Sequence, residues 1–127
     1  MSTQVQLHGV VPIIPTPFRA DESIDLEGVV RCVDFAVGCG LCAICLPAYA
    51  SEFPKLTEAE RLQVVETAIK AAAGKLAVLA QSNHPSARCA AELARRHAAV
   101  RSTPPLPCRD VFARGHRAIV VVGPAPE

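Results

Sequence analysis

A chain of 127 residues, half of them apolar, with a formal net charge of +1, suits one small domain with a modest core. The near-neutral charge gives no electrostatic reason to expect nucleic acid or an anionic membrane as a partner. The longest uncharged stretch, Phe35 to Ala50, falls short of a bilayer span and contains Gly38, Gly40 and Pro47.

In chain order, "MSTQVQLHGV" comes first. It has no basic segment leading into an apolar one, so no secretory signal is read. Six cysteines without an export signal predict reduced thiols and a cytoplasmic location. Val10 to Ile14 is a short apolar run, β-branched apart from Pro12, and reads as a buried strand ending in "PTPF". After the polar loop "ADESID", Asp25 caps a helix whose Leu26, Val29, Val30, Val33 and Val37 recur at helical spacing. Gly38 and Gly40 stop it. Leu41–Pro47 is a second apolar run. Thr57 and Glu60 then form a capping box at the start of a helix that carries Leu62, Val65, Ile69 and Ala72 on one face and ends at Gly74. Lys75–Gln81 is a third apolar run. "SNHP" turns the chain, Pro85 suits a first helical position, and Ala87, Ala90, Ala91, Ala94 and Ala98 mark a third helix. Strands alternate with helices, and each strand is a continuous apolar run. That pattern predicts an α/β fold with a parallel sheet buried on both faces.

Cys39, Cys42 and Cys45 have C-x2-C-x2-C spacing, which raises a metal loop as a reading. A bacterial cluster motif needs a fourth cysteine where Tyr49 stands. Alternation along a strand over Leu41–Leu46 also sends Cys42 and Cys45 to opposite faces. Core packing is therefore the expectation, with no metal ligand among the six cysteines; Cys32, Cys89 and Cys108 are scattered.

The motifs "GVVPIIPTPF", "SIDLEGVVRCVDFAVGCG", "AYASEFPKLTEAER" and "LAVLAQSNHPSA", in this order, resemble the N-terminal part of the dihydrodipicolinate synthase and N-acetylneuraminate lyase family. The resemblance runs from about Gly9 to about Ala98. It implies the N-terminal half of a (β/α)8 TIM barrel. It also implies a class I aldolase or lyase chemistry, in which a lysine on the sixth strand forms a Schiff base with a 2-oxo acid such as pyruvate and a tyrosine relays protons. No cofactor is implied. The family's G-[ST]-[ST]-G-E motif, which binds the keto-acid carboxylate, corresponds to Ala48–Glu52: Glu52 matches, Ser51 replaces a glycine, and Tyr49 and Ala50 replace two hydroxyl residues. The resemblance places Thr16, Tyr49, Ala50, Ser82 and Asn83 at the barrel mouth as substrate-binding candidates. Three of them have a plainer reading: Thr16 and Asn83 as turn formers, Tyr49 as a packing residue. Glu52 reads as a partner for loop N–H groups, and Glu60 and Arg61 as a cap and a solvated charge.

A full barrel needs about 250 residues. The Schiff-base lysine and the relay tyrosine belong to the half that has no counterpart here. Lys55, Lys70 and Lys75 are the only lysines, and none falls at the catalytic end of a strand. No catalytic residue is assigned. From Val100 onward the match stops; five prolines and four arginines crowd the last 28 residues, with "RAIVVVG" as a strand out of context. The sequence therefore divides into a truncated partial barrel over 1–99 and an atypical tail over 100–127, read as frameshifted or otherwise aberrant. The expected function is an inactive fragment of a 2-oxo-acid lyase. The rivals are a non-enzymatic half-barrel interaction protein, a cysteine-based metal module, and a weak nucleic-acid contact through the tail, whose only aromatic is Phe112. Open strand edges and a barrel face without its partner strands predict self-association.

Overall fold

The helices begin where side-chain oxygens can take up their free N–H groups. The computed structural model describes residues 7–100 and, for the backbone alone, 108–114 and 117–122. Asp25 caps α1 (Leu26–Gly38) by accepting from the Gly28 N–H at 3.0 Å. That N–H is the largest influence holding the Asp25 carboxyl below its usual range. Both arms of the capping box are made at α2 (Glu58–Ala72): Thr57 Oγ1 accepts from the Glu60 N–H, and Glu60 Oε2 accepts from the Thr57 N–H. α3 (Ala87–Ala99) departs from expectation at its start. Ser86 is the cap, accepting from the Cys89 N–H, and Pro85 lies outside the helix. A proline offers no oxygen to the free N–H groups of a first turn, whereas the Ser86 hydroxyl does.

β1 (Ala43–Leu46) and β2 (Ala77–Gln81) pair in parallel, with Ala43 opposite Ala77 and Leu46 opposite Ala80. Ile44, Leu46, Val78 and Ala80 lie in one core with Val29 and Val33 of α1 and Val65 and Ile69 of α2. Ala43 and Ala77 lie in a second, smaller cluster with Val11, Cys42 and Leu79. All four residues of β1 are buried, as a continuous apolar run predicts. α2 buries Val64, Val65, Ala68, Ile69 and Ala72, and with them Arg61.

The first predicted strand is a correction. Val10–Ile14 makes a single parallel bridge, Ile13 opposite Cys45. Its backbone bonds to β1 are Ile14 N–H to Cys45 O at 3.0 Å and Cys45 N–H to Pro12 O at 2.9 Å. Pro12 and Pro15 have no N–H to extend the ladder. The segment is also only partly buried: Ile14 reaches the core at 5% exposure, but Val10 is 70% exposed and Ile13 46%.

β3 (Cys108–Arg114) and β4 (Arg117–Val122) complete a sheet in the order β1-β2-β4-β3. "RAIVVV" is thus a strand, but it runs antiparallel to β2. Residues 1–6 and the proline run at 101–107 lie outside the described residues, as do the side chains of Cys108 and Phe112.

Gly28 sits where α1 approaches the turn at Pro17. A Cβ there would lie 2.8 Å from both Pro17 Cγ and Asp25 Oδ2. Gly28→Ala should gain about 1 kcal/mol of helix propensity and lose about 1–3 kcal/mol to overpacking against a rigid ring. The expected net loss, on the order of 1 kcal/mol, is read as a lower urea midpoint with an unchanged slope.

Candidate functional site

Parallel strands present their C-terminal ends on one side, and that is where the candidate residues gather. Thr16 and Ser51 are brought together across 35 positions. Thr16 Oγ1 donates to Ser51 O at 2.6 Å, and Ser51 Oγ donates to Ile14 O at 2.5 Å. Both residues are buried. Ser51, which stands at a glycine position of the resembled motif, therefore locks the segment before Thr16 to the loop after β1. No local sequence signal announces that role.

Tyr49–Ser51 forms a single 3₁₀ turn, and Glu52 follows in the left-handed region at φ 60°. Ala50 is exposed, and Tyr49 is 74% exposed with its ring edge-on to Phe53, centroids 4.9 Å apart. Among the described residues no loop N–H donates to the Glu52 carboxylate. Its carboxylate takes Lys55 Nζ at 2.9 Å on the surface, the donor three residues on that the turn brings within reach.

Arg61 is a second correction. It is not solvated: only 3% of it is exposed. Its guanidinium donates to Asn83 O at 2.7 Å and to Gln81 O at 3.2 Å, and stands 4.6 Å from the centre of the Phe53 ring. Two carbonyls and an aromatic face replace part of the water a buried cation loses. Burial draws its pKa down and Glu58 opposes that, but a guanidinium stays charged. Arg61 thereby ties the start of α2 to the connection after β2. The signal was in the sequence: position 61 is in phase with 64, 65, 68, 69 and 72 on the buried stripe.

Ser82 does not face the mouth. Alternation beyond β2 keeps it on the helix side with Val78 and Ala80, and its Oγ lies 2.7 Å from Nδ1 of His97, both residues fully buried. Gln81, not singled out from sequence, takes the other face. It donates from Nε2 to Cys45 Sγ at 3.2 Å and accepts from Asn83 Nδ2 at 3.1 Å. Tyr49 and Asn83 line one cavity of about 670 Å³, together with Phe53, Thr57, Glu58 and Arg61. Thr16, Ala50 and Ser82 stand apart from it.

The cysteines take separate partners. Cys42 Sγ donates to His8 O at 2.9 Å, while Cys45 meets Gln81. Burial pushes the Cys45 thiol up, away from the thiolate a metal would require. Among the described residues no three His, Cys, Asp or Glu side chains converge.

His97 carries the strongest electrostatic signature. Burial, reinforced by Arg61 and Arg96, pushes its pKa down to about 4. Its Nε2 has no partner among the described residues.

A profile of the dihydrodipicolinate synthetase family matches residues 6–101. The 4-hydroxy-tetrahydrodipicolinate synthase of Chlorobium chlorochromatii is 36% identical over 89 residues, covering 70% of this chain and 30% of that protein. The L-2-keto-3-deoxyarabonate dehydratase of Azospirillum brasilense is 33% identical over 88 residues, 68% of this chain and 28% of that one. Among solved structures, the dihydrodipicolinate synthase from Aquifex aeolicus superposes with a TM-score of 0.67 at 30% identity, over 71% of this chain and 31% of its own. The chain thus spans about 30% of the length of the curated relatives it matches.

Because His97 is neutral when folded and basic when unfolded, the unfolded state binds the extra proton. Its contribution to stability should be complete above pH about 6.5, fall as the pH drops, and level off below about 4, a loss of about 3 kcal/mol. Urea midpoints measured from pH 8 to pH 4 check this, and His97→Gln should flatten the curve in that window.

Proposed function

The chain belongs to the dihydrodipicolinate synthetase family, and we propose that it corresponds to the N-terminal part of a Schiff-base lyase acting on 2-oxo acids and does not catalyse that reaction as it stands. The chemistry requires a neutral amine that attacks the ketone and loses water to form an iminium, which accepts the electron pair of the C–C bond being broken. Such an amine is partly desolvated and stands at the C-terminal end of a barrel strand.

The placement of the three lysines carries the reading. Lys55 is exposed and paired with Glu52, and Lys70 is exposed on α2 and paired with Glu66 at 2.7 Å. Lys75 is exposed just before the N-terminal end of β2, opposite the mouth. All three amines are solvated, and none is set for attack.

In this reading Thr16, Tyr49, Ala50, Ser82 and Asn83 belong to the substrate end of the parent barrel in different ways. The N–H groups of Tyr49 and Ala50 open a 3₁₀ turn, so they have no acceptor within it and suit a keto-acid carboxylate. Thr16 shapes the loop through Ser51, and Ser82 acts through His97. Asn83 and Tyr49 border the cavity. We assign residues 1–99 to the barrel portion and 100–127 to an atypical, out-of-frame tail, which the end of the family match at residue 101 supports, although its two strands join the same sheet as β1 and β2. The proposed setting is the cytoplasm; among the described residues no helix is long and apolar enough to cross a membrane.

A non-enzymatic, self-associating half-barrel is the second reading. The exposed Val10 and Ile13, on a segment with a single bridge, favour it.

Borohydride trapping separates the two parts of the proposal. With pyruvate and borohydride the intact mass should stay unchanged, while a full-length relative run in parallel gains one adduct. A single saturable adduct on this chain at low pyruvate would overturn the assignment of inactivity and leave the family untouched.

A further inference from the structure

In a (β/α)8 barrel every strand runs parallel to its neighbours, and the strand that follows α3 belongs beside β2. That place is taken here by β4, in the opposite direction: Val78 lies opposite Val122, Leu79 opposite Val121, Ala80 opposite Val120 and Gln81 opposite Ile119. β3 pairs antiparallel with β4 on its far side. Two reversals compose to a parallel relation, so β3, the strand after α3, runs in the same direction as β2 but one place further out. α3 lies against the backbones of both β4 and β3. The crossover from β2 through α3 to β3 therefore keeps the sense of a barrel unit, with a return strand folded into the gap.

We propose that the β3–β4 hairpin is a built-in edge cap, which closes the free edge of β2 from within the chain and so excludes the remaining strands of a barrel, whether from a second copy or from a separate chain. The distribution of residue types supports this. The inner strand, "RAIVVV", is apolar after its arginine and β-branched from Ile119 on, as suits an internal position. The outer strand, "CRDVFAR", places Arg109, Asp110 and Arg114 at the new edge and has a register shift between Cys108 and Asp110. Charges and bulges are the means by which edge strands resist further pairing. Only Gly115 and His116 separate the two strands in sequence, a connection short enough to require antiparallel pairing.

Two measurements on the full chain test the cap. Isotope-filtered NMR on mixed labelled and unlabelled chains reads whether the backbone contact between Leu79 and Val121 is made within one molecule. Contacts within one chain support the proposal. Contacts to a second copy, or none between β2 and β4, overturn it. Hydrogen exchange then compares the parent with Val120→Pro, which removes an N–H from the inner strand, and Val120→Thr, which keeps it. The proline variant should lose slow exchange at Val78 and Ala80, whose N–H groups alternate with the Ala77 N–H that faces β1 and so face β4, and sediment as a larger species, with the threonine variant unchanged. Slow exchange retained at Val78 and Ala80 in Val120→Pro overturns the cap. Should the proline variant unfold altogether, the NMR contact needs no substitution and decides the matter.

Discussion

Side-chain alternation along two parallel strands governs where Cys45, Gln81 and Ser82 end up. With Ala43 opposite Ala77, positions 44, 46, 78, 80 and 82 face the helices and positions 43, 45, 77, 79 and 81 face away. Ser82 therefore meets His97 under α3, while Gln81 meets Cys45 on the other face. A slip of one residue would exchange these environments. It would take the Ser82 hydroxyl away from a fully buried imidazole and put the Gln81 amide into an apolar core. The two polar contacts thus hold the register that the apolar residues alone would set less sharply.

The first segment shows how side chains compensate for missing backbone bonds. Pro12 and Pro15 leave it one bridge to β1. Just beyond, the hydroxyls of Thr16 and Ser51 each reach a carbonyl on the other segment. Each such bond is worth about 0.5–1.5 kcal/mol net, and two of them offset much of a shortened ladder. Arg61 does the same for the far side of the mouth by holding the carbonyls of Gln81 and Asn83. These groups are committed to the protein itself. The mouth is a fixed scaffold, with the hydroxyls of Thr16 and Ser51 already engaged, more than a set of free reagents.

What could be read from the sequence was local. The Asp25 cap and the Thr57–Glu60 box depend on residues three apart, and both are made as expected. The two apolar runs became β1 and β2 for the same reason. The first strand failed because two prolines outweighed β-branched propensity. Arg61 was misread by its charge although its spacing put it on the buried stripe. Ser82 lies just past the end of β2 at Gln81, and alternation persisting for that one residue turns it to His97 under α3 instead of to the mouth. Ser51 was not legible at all, since its partners are 35 and 37 positions away.

The direction of β4 lies at the limit of such reading. Six residues, four of them β-branched, mark a strand and say nothing of which way it runs. Direction comes from the connection: a helix returns the chain parallel, and a two-residue link returns it antiparallel. The exposed edge of β2 imposes no choice of its own, because a row of N–H and C=O groups can pair with a strand of either sense. A barrel portion is consequently permissive at its edge and strict in its interior. The βα units along residues 26–99 are built from contacts close in sequence and keep the sense their family requires. The next strand to arrive is set by whatever link precedes it, and here that link folds an apolar strand back into the place a parallel neighbour would hold.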